Sequence, residues 1–310
     1  MKISSLKNTK LYAFASTDIG TRQENQDNYL IIQKEEDRIT AKYLKDEQEL
    51  VKPINNWNES KIRIAVADGM GGHANGRQIA EELIEELIKL PAQESLEGIR
   101  NEINEIHHKL YDRHLPHTEK SPGTTLIMAD LDINTGKGVL LNVGDSRAYM
   151  LSKPILWKKP APVQITFDHS NAEFSYRDGE MDSETYMHHR NSQQIRIAQA
   201  IGFGSRGIVK DSDGNKPFRP DKKLRIDMKP DLSSSFKSHA DVINFKISRR
   251  QIMMLSSDGL WSGEENGQWF YSKPLTGINQ EITNQLIENV KERNINDNIT
   301  LILCGWIIKN

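Results

Sequence analysis

The sequence predicts an α+β fold in which antiparallel sheets pack on one another and helices lie outside. Three observations predict it. Short strand-like apolar runs, separated by Gly, Asp, Asn and Pro, follow one another in antiparallel series. Apolar stripes at helical spacing come as a pair and then singly, between blocks of strands rather than after every strand. The first and last elements are both strands with strong apolar faces. That favours one domain over residues 1–310, with a core that needs both ends of the chain.

Taken in order, Leu11 to Asp18 and Asp27 to Gln33 read as strands joined by the loop IGTRQENQ. From Lys34 to Lys61 the chain turns polar and charged, which reads as a hairpin extension or surface insertion; the next strand resumes at Ile62. After DGMGGH a helix sets Ile79, Leu83, Ile84, Leu87 and Ile88 on one face, and a second does the same with Leu96, Ile99, Ile103, Ile106 and Leu110. GTTLIMADLD, GKGVLLNVGD, SRAYMLS and KPILWKK then form an antiparallel meander. Asp168 to Ser238 is polar and irregular, with a helix expected near Gln193 to Ile201. INFKI and RRQIMMLSSD return to strand. A last helix carries Ile278, Ile282, Leu286, Ile287 and Val290 before the closing strand DNITLILCGWII. There is no internal repeat.

Charge and cysteine content narrow the function. With 41 basic and 43 acidic side chains the formal net charge is -2, without the basic excess of a general nucleic-acid or membrane-surface binder. The single cysteine, Cys304, forms no intramolecular disulfide and reads as a small buried hydrophobe. The N-terminus lacks the apolar run and cleavage pattern of a signal peptide, and no window approaches the ~18 apolar residues of a membrane span. A soluble cytoplasmic protein without nucleic-acid or membrane partners is expected.

Four aspartates stand at strand ends: Asp27 in TRQENQDNYLII, Asp68 in IAVADGMGGH, Asp258 in MMLSSDGLW and Asp297 in NINDNITLIL. A fifth, Asp145 in LLNVGDSRAY, lies between two strands. Any one of these phrases alone is ordinary turn chemistry, and GDSR could be a hairpin turn with an Asp–Arg pair. Together they suit Mg²⁺ or Mn²⁺, which take one or two protein carboxylates each and keep several waters. The glycine after Asp68 would let its carbonyl turn toward an ion with no Cβ in the way.

In order, TDIGTRQENQD, VADGMGGHANG, GTTLIMADL, NVGDSRAYML, ITFDHS, AIGFG, MLSSDGLW and NDNITLIL resemble the metal-dependent protein serine/threonine phosphatase family, the type 2C or PPM phosphatases, in bacterial style. The resemblance runs from about Phe14 to Gly305. It implies a four-layer α-β-β-α sandwich, two antiparallel sheets face to face with helices outside. It also implies hydrolysis of phosphoserine and phosphothreonine in proteins by a hydroxide bridging two divalent ions. On this resemblance Asp27, Asp68, Asp258 and Asp297 hold two Mn²⁺ or Mg²⁺ ions, with the Gly69 carbonyl as a further ligand. Asp145 belongs, with Asp258, to a third and weaker metal. Arg22 binds the substrate phosphate, its planar fork suited to two oxygens at once. The implied partners are phosphorylated proteins, and a Ser/Thr kinase whose action is opposed.

Some positions depart from the family pattern. Gln26 stands where many members have an acid, and can hydrogen-bond a metal-bound water without adding charge. Met70 stands where the animal-type pattern has its general-acid histidine, leaving His73 as the nearest candidate for proton transfer or for a hydrogen bond to a metal-bound water. The stretch from about 168 to 200 corresponds to the family's flap beside the substrate cleft, and the insertion at about 34–61 has no assigned role. Other chemistries fare worse. His107 and His108 are adjacent on a helix and diverge by about 100°, so with His114, His117, His188 and His189 they make no zinc pattern. DSDGN at Asp211 to Asn215 lacks the closing Glu of a calcium loop. The rivals that keep the fold are a non-catalytic binding module, which would lack one or more of the aspartates, and a phosphatase of anti-sigma antagonists, which would diverge around GDSR and SDGL.

Overall fold

Strand β2 (Asp27–Glu35) shows how the layers arise. Successive side chains of a strand point to opposite faces. Leu30 and Ile32 therefore enter one apolar cluster, while Tyr29 and Ile31 enter another. The strand is buried on both sides because it lies in an inner layer. The computed structural model describes residues 9–71, 74–114, 122–154, 161–177, 179–191, 197, 199–203, 209–210, 217–218, 242–262, 275–292 and 296–308.

The larger sheet runs β13 (Val242–Lys246), β8 (Lys137–Val143), β7 (Leu126–Asp132), β5 (Lys61–Met70), β2, β3 (Arg38–Lys45), β4 (Gln48–Pro53), with β6 (Gly123–Thr124) pairing the end of β5. The smaller runs β1 (Thr9–Asp18), β15 (Ile299–Ile308), β14 (Gln251–Ser256), β9 (Arg147–Ser152), β10 (Val163–Gln164). β11 (Val209–Lys210) and β12 (Pro217–Phe218) pair only with each other. Three apolar clusters define the layers. One joins the larger sheet to α1 (Ala74–Lys89) and α2 (Leu96–His114), through Ile79, Leu83, Ile103 and Leu110. A second lies between the sheets, with Leu11, Ile64, Leu255 and Ile302. The third seats α5 (Gln280–Lys291) on the smaller sheet through Leu286, Ile287 and Val290. The result is the expected α-β-β-α sandwich, and the helical stripes lie where their spacing put them. Cys304 is buried between the sheets, where desolvation pushes its thiol up to about 12.

One expectation needs correction. Residues 193–201 are not helical where described: Ile197 bridges Ser170 and Ile201 bridges Thr124. The helices of this region are instead α3 (Asn171–Arg177) and α4 (Ser183–His189), the latter capped by the Asp182 side chain accepting from the Thr185 backbone. Of KPILWKK only Lys153 and Pro154 are described, outside any strand, and the strand that follows β9 is β10. The charged stretch 34–61 is the hairpin extension that its sequence suggests, sheet as well as surface. It forms the hairpin β3–β4, and Ala41, Tyr43 and Leu44 enter the core. DSDGN lies outside the described residues.

A buried ion pair secures α1. Arg63 on β5 meets Asp130 on β7 through two hydrogen bonds of 2.7 and 2.6 Å, both side chains fully buried. The same guanidinium donates to the carbonyls of Leu87, Leu90 and Pro91, where α1 ends, and lies 5.0 Å from the Trp57 ring. A helix leaves its last carbonyls unsatisfied, and a guanidinium from the sheet beneath supplies the missing donors.

Candidate functional site

Strand pairing brings the distant aspartates together. Asp27, first in β2, stands directly opposite Asp68 in β5. Asp68 lies two residues before the end of its strand rather than at it. Asp258 opens a 3₁₀ turn (Asp258–Leu260) immediately beyond β14, and Asp297 lies just before β15, the neighbour of β14. Asp145 occupies the turn between β8 and β9.

Like charges directly opposed on a sheet are destabilising, and the electrostatics here carry that signature. Burial, then the charges of Asp258 and Asp297, push Asp27 up to about 7 against the opposing hydrogen bonds from Ser257 and Thr300. Burial and Asp297 push Asp258 up to about 6, with Arg22 and Arg147 pulling the other way. Asp68 and Asp145 are driven well above the carboxylate range, again by burial first and then by neighbouring aspartates. Asp27 Oδ1 and Asp145 Oδ1 are buried with no hydrogen-bond donor. Buried carboxylate oxygens of this kind normally have partners.

The donor set therefore fits a hard divalent cation: oxygens only, like-charged, Asp27 and Asp145 buried and each with one oxygen lacking a donor among the described residues. The fit lies in chemistry and crowding rather than in a closed cage. Among the described residues no three His, Cys, Asp or Glu converge tightly enough to enclose an ion by themselves. Mg²⁺-type sites complete their shell with water.

The crowding predicts a pH dependence. Folded-state values raised above the ordinary 3.8 mean that the folded chain holds more protons than the unfolded one. That contribution to stability is fully present below about pH 4, and is lost as pH rises through about 6 and about 7. Urea unfolding in excess chelator should show wild type losing stability over this interval relative to Asp27→Asn. Parallel curves would contradict it.

The remaining predicted residues fall out differently. Arg22 is half-exposed and donates through Nη2 to Asp297 Oδ2 at 2.8 Å and through Nε to the Asn296 carbonyl at 3.0 Å. The Gln26 side chain donates to Glu24 at 2.6 Å, while its backbone N–H donates to Asn298 Oδ1 at 2.9 Å. His73 lies outside the described residues. Gly69 is required for packing, a reason additional to the one its sequence suggests. A Cβ there would meet the Gly76 carbonyl at 2.1 Å, so glycine lets the first turn of α1 pack on β5. Gly259 is similar, its missing Cβ making room for the Asn298 carbonyl.

Several supporting residues are not evident in the sequence. Asn298 donates to the carbonyls of Ile19 and Glu24 and accepts from Gln26, stitching the Arg22 loop to the start of β15. Asn28 does the same for β3, bonding both backbone groups of Leu44. One signal could have found them, since an asparagine follows each of Asp27 and Asp297. Ser257 donates to Asp27 Oδ2 at 2.7 Å, and Thr125 accepts from the Asp68 backbone N–H at 3.0 Å. Arg147 of GDSR pairs with Asp168 rather than Asp145. Its guanidinium lies 3.3 Å over the Trp261 ring and donates to Asn191 and to the Arg190 carbonyl just past α4. His169 grips Gly144 through both its backbone N–H and its ring. Within the stretch expected to be the flap, His169 is thus tied to the turn that carries Asp145, and Asp168, Arg190 and Asn191 to Arg147 just after it.

Known proteins share this arrangement of sheets and helices. No protein-family model matches the chain. The serine/threonine phosphatase stp of Listeria welshimeri is 33% identical over 136 residues, covering 41% of this chain and 50% of that protein, and its Listeria monocytogenes counterpart is 32% identical over the same length. The chain spans about half the length of the curated relatives it matches. Among solved structures, serine/threonine phosphatase Stp1 from Staphylococcus aureus superposes with a TM-score of 0.64 at 23% identity, covering 95% of this chain and 94% of that one. The catalytic domain of serine threonine protein phosphatase PstP, solved with two manganese ions, gives 0.59 at 18% identity, covering 96% and 99%. At such identities the structures speak for the fold. By that fold, and by the stretch shared with the Listeria proteins, the chain is similar to bacterial serine/threonine phosphatases.

Proposed function

We propose that the chain hydrolyses phosphoserine and phosphothreonine monoesters in proteins, using two Mn²⁺ or Mg²⁺ ions and opposing a Ser/Thr kinase in the cytoplasm. The observation that carries this reading is the gathering of Asp27, Asp68, Asp145, Asp258 and Asp297, each from a different strand end, into one mutually repelling group beside Arg22. No helix among the described residues is long and apolar enough to cross a membrane.

Asp27, Asp68, Asp258 and Asp297 would hold the two ions, with the Gly69 carbonyl as a further ligand, and Asp145 with Asp258 would hold a third, weaker one. Bound divalent cations lower the pKa of water toward neutrality and withdraw charge from a phosphoryl group. The chain's own residues then orient the substrate. Arg22 turns its fork from Asp297 to two phosphate oxygens, an exchange that costs little because the pair is half-exposed. Ser257 holds one face of Asp27 and leaves Oδ1 available. Gln26 would hydrogen-bond a metal-bound water, and His73 would do the same or pass a proton to the leaving oxygen.

Hydrolysis of a phosphothreonine peptide in Mn²⁺, Mg²⁺ or EDTA tests the proposal. Turnover that requires metal supports it, and inactivity of a folded, metal-saturated protein would favour a binding module instead. Arg22→Ala should raise the Michaelis constant roughly 10- to 100-fold, the worth of a charge-assisted hydrogen bond, while Mn²⁺ affinity by calorimetry stays within a few-fold. An unchanged Michaelis constant would remove Arg22 from the phosphate.

A further inference from the structure

The charged insertion reaches the site. Its hairpin β3–β4 turns on Asp46 and Glu47, both with positive φ (48° and 61°), as a two-residue hairpin turn demands. That tip is fastened to α1. Lys45 pairs with Glu81 and Glu85 at 3.0 Å each, the Asp46 backbone N–H donates to Glu81 at 2.9 Å, and Glu47 meets Arg77 at 3.1 Å. Glu81 is almost fully buried, so these contacts fix where the tip lies.

Glu47 Oε1 also accepts from the backbone N–H of Asn25 at 3.4 Å. Asn25 is buried; its side chain donates to Thr17 and accepts from the backbone N–H of Asp27. It is two residues from Asp27 and three from Arg22. From the other side the same loop is held by Asn296 and Asn298 at the start of β15. The first turn of α1 closes the junction, since Gly76 packs on both Gly69 and the Gln26 side chain.

We propose that the β3–β4 hairpin is a working part of the site, with Glu47 as a positioning residue that sets the Arg22 loop between α1 and β15. This rests on the phosphatase reading for its kinetic consequence but not for its structural one. A buried N–H needs a partner, and the Glu47 carboxylate supplies the one that comes from the insertion. Glu47→Ala removes the acceptor, and Glu47→Gln keeps an acceptor oxygen but not the charge.

With wild type shown to turn over a phosphothreonine peptide in Mn²⁺, Glu47→Ala should raise the Michaelis constant roughly fivefold, the worth of one net hydrogen bond, with kcat within about twofold. Glu47→Gln should return it toward wild type. A Michaelis constant unmoved in Glu47→Ala, or a loss of kcat alone that tracks a lower thermal midpoint, overturns the proposal. Amide hydrogen exchange supplies a readout independent of activity. Asn25 should exchange at least ~5-fold faster in Glu47→Ala, from the same hydrogen bond, and near the wild-type rate in Glu47→Gln. Equal rates in all three proteins overturn it even where turnover is never seen. A wild type that does not hydrolyse the peptide but shows this exchange pattern sinks the phosphatase reading and leaves the hold on the loop intact.

Discussion

Asp258→Asn should abolish the proposed metal-dependent turnover and, in the presence of chelator, make the protein more stable. The two effects have one cause. Asp258 is buried beside Asp297 and close enough to Asp68 for the two carboxyl groups to hydrogen-bond, and its pKa is pushed up to about 6 by that company. Near pH 7 the group is charged in the folded state at a cost that only a cation removes. An amide has nearly the same shape and no charge, so the metal-free fold gains a few degrees of thermal midpoint. The same change deletes a ligand proposed for the main pair of ions and for the third, weaker one. Loss of several kcal/mol of charge stabilisation corresponds to a fall in kcat/KM on the order of a thousandfold or more. A phosphothreonine-peptide assay and a thermal melt in EDTA check both halves. Lower activity with lower stability would show that Asp258 serves the fold rather than an ion.

Asp130→Ala carries the largest expected loss of stability, about 3–5 kcal/mol, the usual cost of leaving one partner of a buried ion pair unpaired. Arg63 would keep its charge in a fully buried position, with only carbonyls at the end of α1 and the Trp57 face to balance it. The Gln93 backbone N–H would lose its acceptor as well. Replacing the arginine too, as Arg63→Met with Asp130→Ala, should recover part of that loss, since the stranded charge disappears. Recovery stays incomplete because Leu87, Leu90 and Pro91 still lose their donors. Urea midpoints for the single and double variants test this, and a single variant within about 1 kcal/mol of wild type would show that water reaches Arg63.

What can be read from the residues follows the range of the interactions. The stripes of α1 and α2, and the alternation along β2 and β15, are legible because burial acts on a side chain through its own spacing. The aspartates are legible as a set because acids at the ends of apolar strands are conspicuous. Their pairing is not, since Asp27 meets Asp68 only through the register of two strands. Gly69 stands out in the sequence, but the steric constraint that Gly76 places on it is not displayed by local sequence. The helix expected near Gln193 to Ile201 fails because Ile197 and Ile201 bridge Ser170 and Thr124 instead, and tertiary pairing outweighs propensity over so short a stretch. Arg147 has Asp145 as its neighbour in sequence, whereas its partner in space lies at Asp168. The insertion gains a meaning only once the fold carries its tip to Asn25.

The place of β15 has a consequence for biogenesis. This strand, the last in chain order, is not an edge: it pairs along all ten residues with β1 and on its other side with β14. Asp297 and Asn298, which anchor the Arg22 loop, precede it directly. A chain emerging from the ribosome therefore makes Asp27 and Asp68 early and carries them unpartnered until β15 slides between two strands already built. Contacts spanning about 270–280 residues form slowly because loop closure comes before any gain. The nascent protein thus cannot bring Asp297 and Asn298 to the Arg22 loop until synthesis has passed β15, and the activity proposed for the site would wait for that strand.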